Sequence, residues 1–313
     1  MDKKKICLIA TGGTIASVET PEGMKPLLDG KELLAKVPEL ESLGVIDIVE
    51  LMQLDSTNIQ PKDWIQMAQA IEERYADYDG FIITHGTDTM AHSAAALYYM
   101  LENLQKPVIF TGSQLSLVEE GSDAPANLLL AMYGAVSSVP GVYLAFHNKL
   151  MQGNAAKKLC TENFDGFYSI NVPDVAVLED GKIKWNISSD FIEPEKELKI
   201  NTAIDTHVAV FEVFPGFNTD IIRMAVDSGC KGIVLKGYGA GNVPSEESGN
   251  SFLPAIDYAV EKGVKVVLTT QCIYDGTDLE RYEVGASALR HGVISGGDLT
   301  VEAILAKLML GKY

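Results

Sequence analysis

The sequence predicts a two-domain α/β protein: a flavodoxin-like or Rossmann-like parallel-sheet domain followed by a smaller C-terminal α/β domain. Three observations predict it. Short Val/Ile/Leu/Phe runs alternate with helical segments, hydroxyl-rich glycine turns follow two of the buried-looking runs, and the alternation breaks around 174–206 before resuming. Apolar runs bounded by turn residues and separated by helices argue for parallel strands covered on both faces. A length of 313 residues matches about two domains of roughly 150 residues each.

Taken in order, strands are expected at 5–11, 45–51, 80–84, 107–111 and 141–146, with helices near 61–76, 89–104 and 123–137. The segment 61–76 has proline near its first turn and Trp64, Met67, Ala68 and Ile71 on one face, so Trp64 belongs to the core. Residues 174–206 hold Asp-Gly turns, short amphipathic runs and the charged stretch Glu193-Pro194-Glu195-Lys196-Glu197, which reads as hairpins and then a linker. The expected organisation is therefore an N-terminal domain over 1–191, a linker over 192–205 and a C-terminal domain over 206–313. In the last of these, strands are expected at 207–213, 231–236 and 264–269, with helices near 218–229, 250–262 and 300–310.

Composition excludes several classes. The chain is 47% hydrophobic, ample for a core, and carries 25 basic against 43 acidic residues, a net charge of -18. That charge repels phosphate backbones and anionic membranes, so neither nucleic acid nor membrane is an expected partner. No apolar stretch approaches the roughly 20 residues that span a bilayer, and the Met-Asp-Lys-Lys-Lys start lacks the pattern of a secretory leader. A cytoplasmic location is expected. Cys7, Cys160, Cys230 and Cys272 are scattered without CxxC or metal-ligand spacing, which predicts free thiols and no metal.

The chemistry is concentrated at strand exits. The run 6–10 leads into Thr11-Gly12-Gly13-Thr14, and the run 81–83 leads into Thr84-His85-Gly86-Thr87-Asp88-Thr89. An open parallel sheet binds ligands outside the carboxyl ends of its strands, where small residues let backbone N–H groups converge on an anion. A threonine hydroxyl there can attack a carbonyl if a neighbour accepts its proton; the same Gly-Gly pair also suits a plain strand exit or a phosphate turn. Asp88 suits either a ligand ammonium or the N-cap of the helix that follows. His85 suits a packed neutral ring held by a backbone hydrogen bond better than a general base. Asp55-Ser56-Thr57 and Thr111-Gly112-Ser113-Gln114 add two more polar turns at the same edge. G-x-G-x-x-G and P-loop patterns are missing, so no nucleotide cofactor is expected.

These residues resemble the two signatures of the bacterial-type L-asparaginase family, including its glutaminase-asparaginase members. The resemblance rests on Thr11-Gly12-Gly13-Thr14-Ile15-Ala16, His85-Gly86-Thr87-Asp88-Thr89 and the Asp55-Ser56-Thr57 turn. It continues through Gly153-Asn154, Lys158, Gly239-Ala240-Gly241-Asn242 and Gln271-Cys272, nearly the whole chain, and looks most like the cytoplasmic type I group. It implies a two-step hydrolysis of L-asparagine to L-aspartate and ammonia, without cofactor or metal. Thr14 would be the nucleophile, Thr87 would face it across the substrate side chain, hydrogen-bonded toward Lys158, and Asp88 would bind the α-ammonium. Ser56 and nearby backbone N–H groups, in the turn with Asp55 and Thr57, would hold the α-carboxylate.

The resemblance departs at one point. Family members commonly carry a mobile tyrosine about ten residues beyond the nucleophile, where this chain has Met24 in the segment Ser17–Pro26. Methionine cannot relay a proton; either a tyrosine from elsewhere substitutes, with Tyr274, after a C-terminal strand, as a candidate, or turnover relies on another route. Glu19, Glu22 and Gly23 still suit a polar lid. Asn242 resembles the position that a neighbouring subunit contributes to each site, implying a homodimer or homotetramer. Cys272 lies near a region resembling the regulatory asparagine site of some type I members; as a cysteine, its default expectation is core packing.

Three rival readings follow. One extra methylene is worth only about 1–3 kcal/mol of discrimination, so L-glutamine is a second candidate substrate. A related amidotransferase subunit carries an additional domain before the threonine-glycine motif. A catalytically silent amino-acid sensor would use the same clamp without releasing product, and Met24 is the feature that favours it.

Overall fold

The computed structural model describes residues 3–21, 23–186, 196–246 and 250–313, and the chain divides into two compact units at 202/203. In the larger unit, β1 (Lys5–Gly12) is followed by a hairpin of β2 (Ser17–Thr20) and β3 (Gly23–Pro26), then α1 (Gly30–Lys36), α2 (Leu40–Leu43) and β4 (Val45–Leu54). Next come α3 (Pro61–Glu72), β5 (Gly80–Thr84), α4 (Met90–Met100), β6 (Leu101–Glu102), β7 (Pro107–Thr111), α5 (Ala124–Ala135) and β8 (Gly141–Phe146). Short strands complete it: β9 (Lys149–Gln152), β10 (Ala156–Lys158), β11 (Phe167–Ser169), β12 (Ala176–Glu179), β13 (Lys182–Trp185) and β14 (Lys199–Ile200).

The main sheet runs β13-β12-β9-β8-β7-β5-β1-β4. Its strands β4, β1, β5, β7 and β8 are mutually parallel, while β9, β12 and β13 add an antiparallel edge. Numbered along the chain, the parallel strands stand in the flavodoxin-like order 2-1-3-4-5. The order reverses between β1 and β5, and that is where such sheets bind ligands. Central strands β5 and β7 are buried on both faces, which is why they read as continuous apolar runs rather than alternating ones. Helix α5 is likewise buried nearly all round, and its Leu128, Ala131 and Met132 join Ile6, Ile82 and Ile109 in one core.

Helix α3 shows how local sequence sets an element. Pro61 occupies its first turn and Asp63 closes a capping box onto Gln60, accepting its backbone N–H at 2.8 Å, while Trp64, Met67, Ala68 and Ile71 are buried as their spacing predicts. The Asp-Gly turn at 180–181 forms the β12–β13 hairpin. Residues 192–195 of the expected linker lie outside the described residues.

The smaller unit contains β15 (Val208–Glu212), α6 (Asp220–Asp227), β16 (Gly232–Gly237), α7 (Leu253–Glu261), β17 (Lys265–Thr270), α8 (Glu283–Arg290), β18 (Ile294–Ser295) and α9 (Val301–Met309). Its sheet, β15-β16-β17-β18, is parallel throughout. Alternation sorts the two faces: Ile233, Leu235, Val266 and Leu268 pack with residues of α6 and α7, whereas Val234 and Val267 pack with Ile304 and Leu308 of α9. Among the described residues, no helix is long and apolar enough to cross a membrane, and no group of three or more His, Cys, Asp or Glu side chains could hold a metal ion.

Candidate active site

The larger unit gathers three turns at the reversal point, after β1, β4 and β5. Thr11, next to last in β1, donates its hydroxyl to the Thr84 carbonyl of β5 at 2.6 Å, tying the two strand exits together. Gly12 and Gly13 then turn with φ of 97° and 82°, and the ψ of -179° at Gly13 places it where essentially only glycine stands. Space is as restrictive as conformation. A Cβ on Gly12 would meet the Leu54 carbonyl oxygen at 2.5 Å, one on Gly13 would overlap the Gly86 backbone, and one on Gly86 would meet Ser56 Oγ at 2.6 Å. The exits of β1, β5 and β4 therefore meet through bare backbone, and Thr14 and Thr87 each stand one residue past that contact.

Thr14 opens a short 3-10 turn, Thr14–Ala16, whose Ile15 and Ala16 are buried while Thr14 is only partly so. Ser17 returns its hydroxyl to the Gly13 carbonyl at 3.0 Å, and the buried Ser116 hydroxyl donates to the Ser17 carbonyl. The segment 17–26 that follows is the β2–β3 hairpin. Met24 pairs with Glu19 across it and is about half exposed; Glu22 lies outside the described residues.

Ser56 sits in a 3-10 turn after β4 and is buried. Its Oγ accepts the Asp88 N–H at 3.2 Å and its carbonyl accepts the Thr89 hydroxyl at 2.7 Å. Asp55 and Thr57 turn toward each other, because one Asp55 oxygen accepts both the Thr57 N–H at 2.8 Å and its hydroxyl at 2.7 Å. That is an Asx-type arrangement that shapes the turn presenting Ser56.

Lys158, the last residue of β10, brings a cation to the Thr87 turn. Its Nζ donates to Thr87 Oγ1 at 2.7 Å and to Asp88 Oδ1 at 2.7 Å. The Lys158 side chain is 19% exposed and that of Asp88 56%, so Asp88 still has a face open to a ligand. Asp88 is not a helix cap: α4 starts at Met90 with Thr89 as its N-cap residue.

His85 is fully buried, and burial pushes its pKa down to about 4. Its Nδ1 is 2.7 Å from the Gly86 carbonyl and its Nε2 is 2.9 Å from Ser93 Oγ, which in turn accepts Trp64 Nε1–H at 2.9 Å. A neutral, fully bonded ring has no spare site for a substrate proton, so the packed reading of His85 holds. Sequence reasoning placed Trp64 in the core but did not connect it to His85. The i, i+8 spacing of His85 and Ser93 across a turn and a helix gave no periodic signal for that link.

Tyr274 and Asn242 belong to the smaller unit. Tyr274 is exposed, in the stretch after β17. Asn242 closes the Gly239-Ala240-Gly241 turn, where Tyr238 and Asn242 exchange backbone hydrogen bonds at 2.8 Å, and its side-chain oxygen is buried without a partner among the described residues. Cys272 is exposed rather than core, because it follows the strand end where the chain turns outward.

Residues 5–207 match the family model for the N-terminal asparaginase domain, and residues 207–311 match that for the glutaminase/asparaginase C-terminal domain. The chain is 41% identical to an L-asparaginase of Thermococcus kodakarensis over 97% of this chain and 92% of that protein. It is 39% identical to L-asparaginase 1 of Escherichia coli K12, over 98% and 91%. A glutamyl-tRNA(Gln) amidotransferase subunit of Pyrococcus abyssi is 35% identical over 97% of this chain but only 71% of its own length. The solved structure of the thermostable L-asparaginase from Thermococcus kodakarensis superposes with a TM-score of 0.91 at 38% identity, covering 98% of this chain and 92% of that one.

Proposed function

Because the chain belongs to the asparaginase family, we propose that it hydrolyses L-asparagine to L-aspartate and ammonia with Thr14 as nucleophile. The observation that carries this reading is the Lys158 ammonium shared between Thr87 and Asp88 at the point where the strand order reverses.

The α-ammonium of the substrate binds the open face of Asp88, whose other oxygen is held by Lys158. Ser56 Oγ already accepts from the Asp88 N–H, so its own hydrogen is left to donate to the α-carboxylate. That clamp presents the side-chain amide to Thr14. Thr14 Oγ forms a bond to the amide carbon, the carbonyl electrons move onto oxygen, and backbone N–H groups at the glycine turns stabilise that charge. Collapse breaks the C–N bond, and ammonia leaves with the proton lost by Thr14. Water then attacks the β-aspartyl ester, and the Thr14 hydroxyl is restored as aspartate departs. Thr87, polarised by the Lys158 charge, is the polar group facing the reacting amide and water in both steps.

L-glutamine is a second substrate on this reading, since the C-terminal domain family spans glutaminases as well and one methylene separates the two amides. On this reading a second copy of the chain completes each site through Asn242, as the family resemblance implies, in a homodimer or homotetramer. All four cysteines are free thiols, in keeping with a cytoplasmic setting.

Ammonia release from L-asparagine and L-glutamine, with Thr14→Ala and Thr87→Ala as controls, tests the proposal. Turnover that both substitutions abolish is expected. Asparagine binding to the folded wild type without ammonia release would replace the enzyme reading with that of a sensor.

A further inference from the structure

We infer that His85 is a positioning residue, gripping the Gly86 carbonyl so that the Thr87 backbone N–H points at the developing oxyanion. The inference rests on the amidohydrolase reading for its chemistry and on the hydrogen-bond chain Trp64–Ser93–His85–Gly86 for its geometry.

The proton positions in that chain follow from one donor-only group. The indole N–H of Trp64 can only donate, so Ser93 Oγ accepts it at 2.9 Å. The Ser93 hydrogen is then directed to its remaining partner, His85 Nε2 at 2.9 Å. Nε2 is therefore the acceptor nitrogen, and the ring proton sits on Nδ1, donating to the Gly86 carbonyl at 2.7 Å. Trp64, Ser93 and His85 are all buried, and Phe110 meets the imidazole edge-on with ring centroids 5.8 Å apart.

The consequence reaches the next peptide. Carbonyl and N–H of one trans peptide point in opposite directions, so a Gly86 oxygen held against His85 aims the Thr87 N–H away from the ring. That N–H has no hydrogen-bond partner among the described residues, whereas the following N–H, of Asp88, is taken by Ser56. An oriented, open donor beside Thr87 stabilises charge that exists in the transition state more than in the ground state. The α-group clamp is anchored separately, through Ser56 and Lys158, so loosening His85 leaves substrate binding in place and lowers kcat.

Three substitutions and one spectrum test this. In His85→Asn the amide nitrogen sits where Nδ1 was and keeps the Gly86 bond; His85→Gln keeps an acceptor for Ser93 but loses the Gly86 bond; His85→Leu loses both. We expect His85→Asn to keep kcat within about 3-fold, and His85→Gln and His85→Leu to lose about 10-fold or more with KM within about 2-fold. Histidine 15N NMR of the wild type should show a protonated Nδ1 and bare Nε2, unchanged between about pH 5.5 and 8. A proton on Nε2, a Gln variant as active as the Asn variant, or a loss carried by KM would each overturn the inference. If the leucine variant does not fold, Ser93→Ala replaces it: mixed tautomers with reduced kcat are expected, and wild-type kcat with mixed tautomers would overturn the inference. A wild type that releases no ammonia would instead sink the amidohydrolase reading, while the tautomer measurement still decides the geometry.

Discussion

Lys158 donates to the Thr87 hydroxyl at 2.7 Å, joining residues 71 positions apart. Packing of β10 against α4, which follows the Thr87 turn, brings them together, and Asp88 shares the same ammonium. Replacing Lys158 by methionine keeps the apolar stem of the side chain and removes the ammonium with its charge and donors. A kcat loss of about 10³ is expected, the range for losing a group that moves or holds a proton. The pair is too exposed on the Asp88 side to matter much for folding, so stability should change by about 1 kcal/mol or less. Steady-state ammonia release and urea denaturation on the same preparation separate the two effects, and a variant with near wild-type kcat would remove Lys158 from the mechanism.

The glycine contact makes a second prediction. Gly13→Ala adds a methyl group where the Gly86 backbone already stands, at a residue with φ of 82°. Gly121, with φ of 79° and open space around it, serves as the control for a substitution at positive φ that meets no neighbour. Gly121→Ala should cost about 1–2 kcal/mol and leave activity intact. Gly13→Ala should cost more than that and abolish turnover, because the exits of β1 and β5 must separate. Equal costs for the two would mean that the close approach relaxes cheaply.

Acid stability should carry the signature of His85. Its folded pKa is lowered to about 4 by burial, against an ordinary value of about 6.5. Between those values the unfolded chain binds a proton that the folded one does not, so this contribution is fully present above about pH 6.5 and is lost as pH falls toward 4. The loss amounts to about 3 kcal/mol. Urea midpoints measured across that window should fall more steeply for the wild type than for His85→Asn, by up to one proton in the slope. Parallel curves would show that His85 titrates normally.

Met24 offers a contrasting expectation. Its side chain is about half exposed on β3 and a thioether neither donates nor accepts strongly. Met24→Ala should therefore leave kcat within about 3-fold. A loss of 10-fold or more, read from the same ammonia assay, would mean that the hairpin closes Met24 onto the substrate.

Much of the larger unit is legible in the chain itself. The apolar runs became β1, β4, β5, β7 and β8, and the threonine turns fell at the exits of β1 and β5. Asp29 and Glu32 form a full capping box at the start of α1, whose i, i+3 spacing the sequence also carries. Short strands β9, β10 and β11 left less to read, since three or four residues carry too little periodicity to separate strand from loop.

The α/β alternation, the two-unit organisation and the residue types at the turns are local matters, because period, turn chemistry and composition are properties of neighbouring residues. Tertiary packing sets β5 beside β1 with the order reversing between them, brings the Lys158 ammonium to both Thr87 and Asp88, and buries His85 so that its pKa falls to about 4. Most of those depend on contacts between segments tens of residues apart. Their cost is loop closure and desolvation, and neither is written in any local window of the chain.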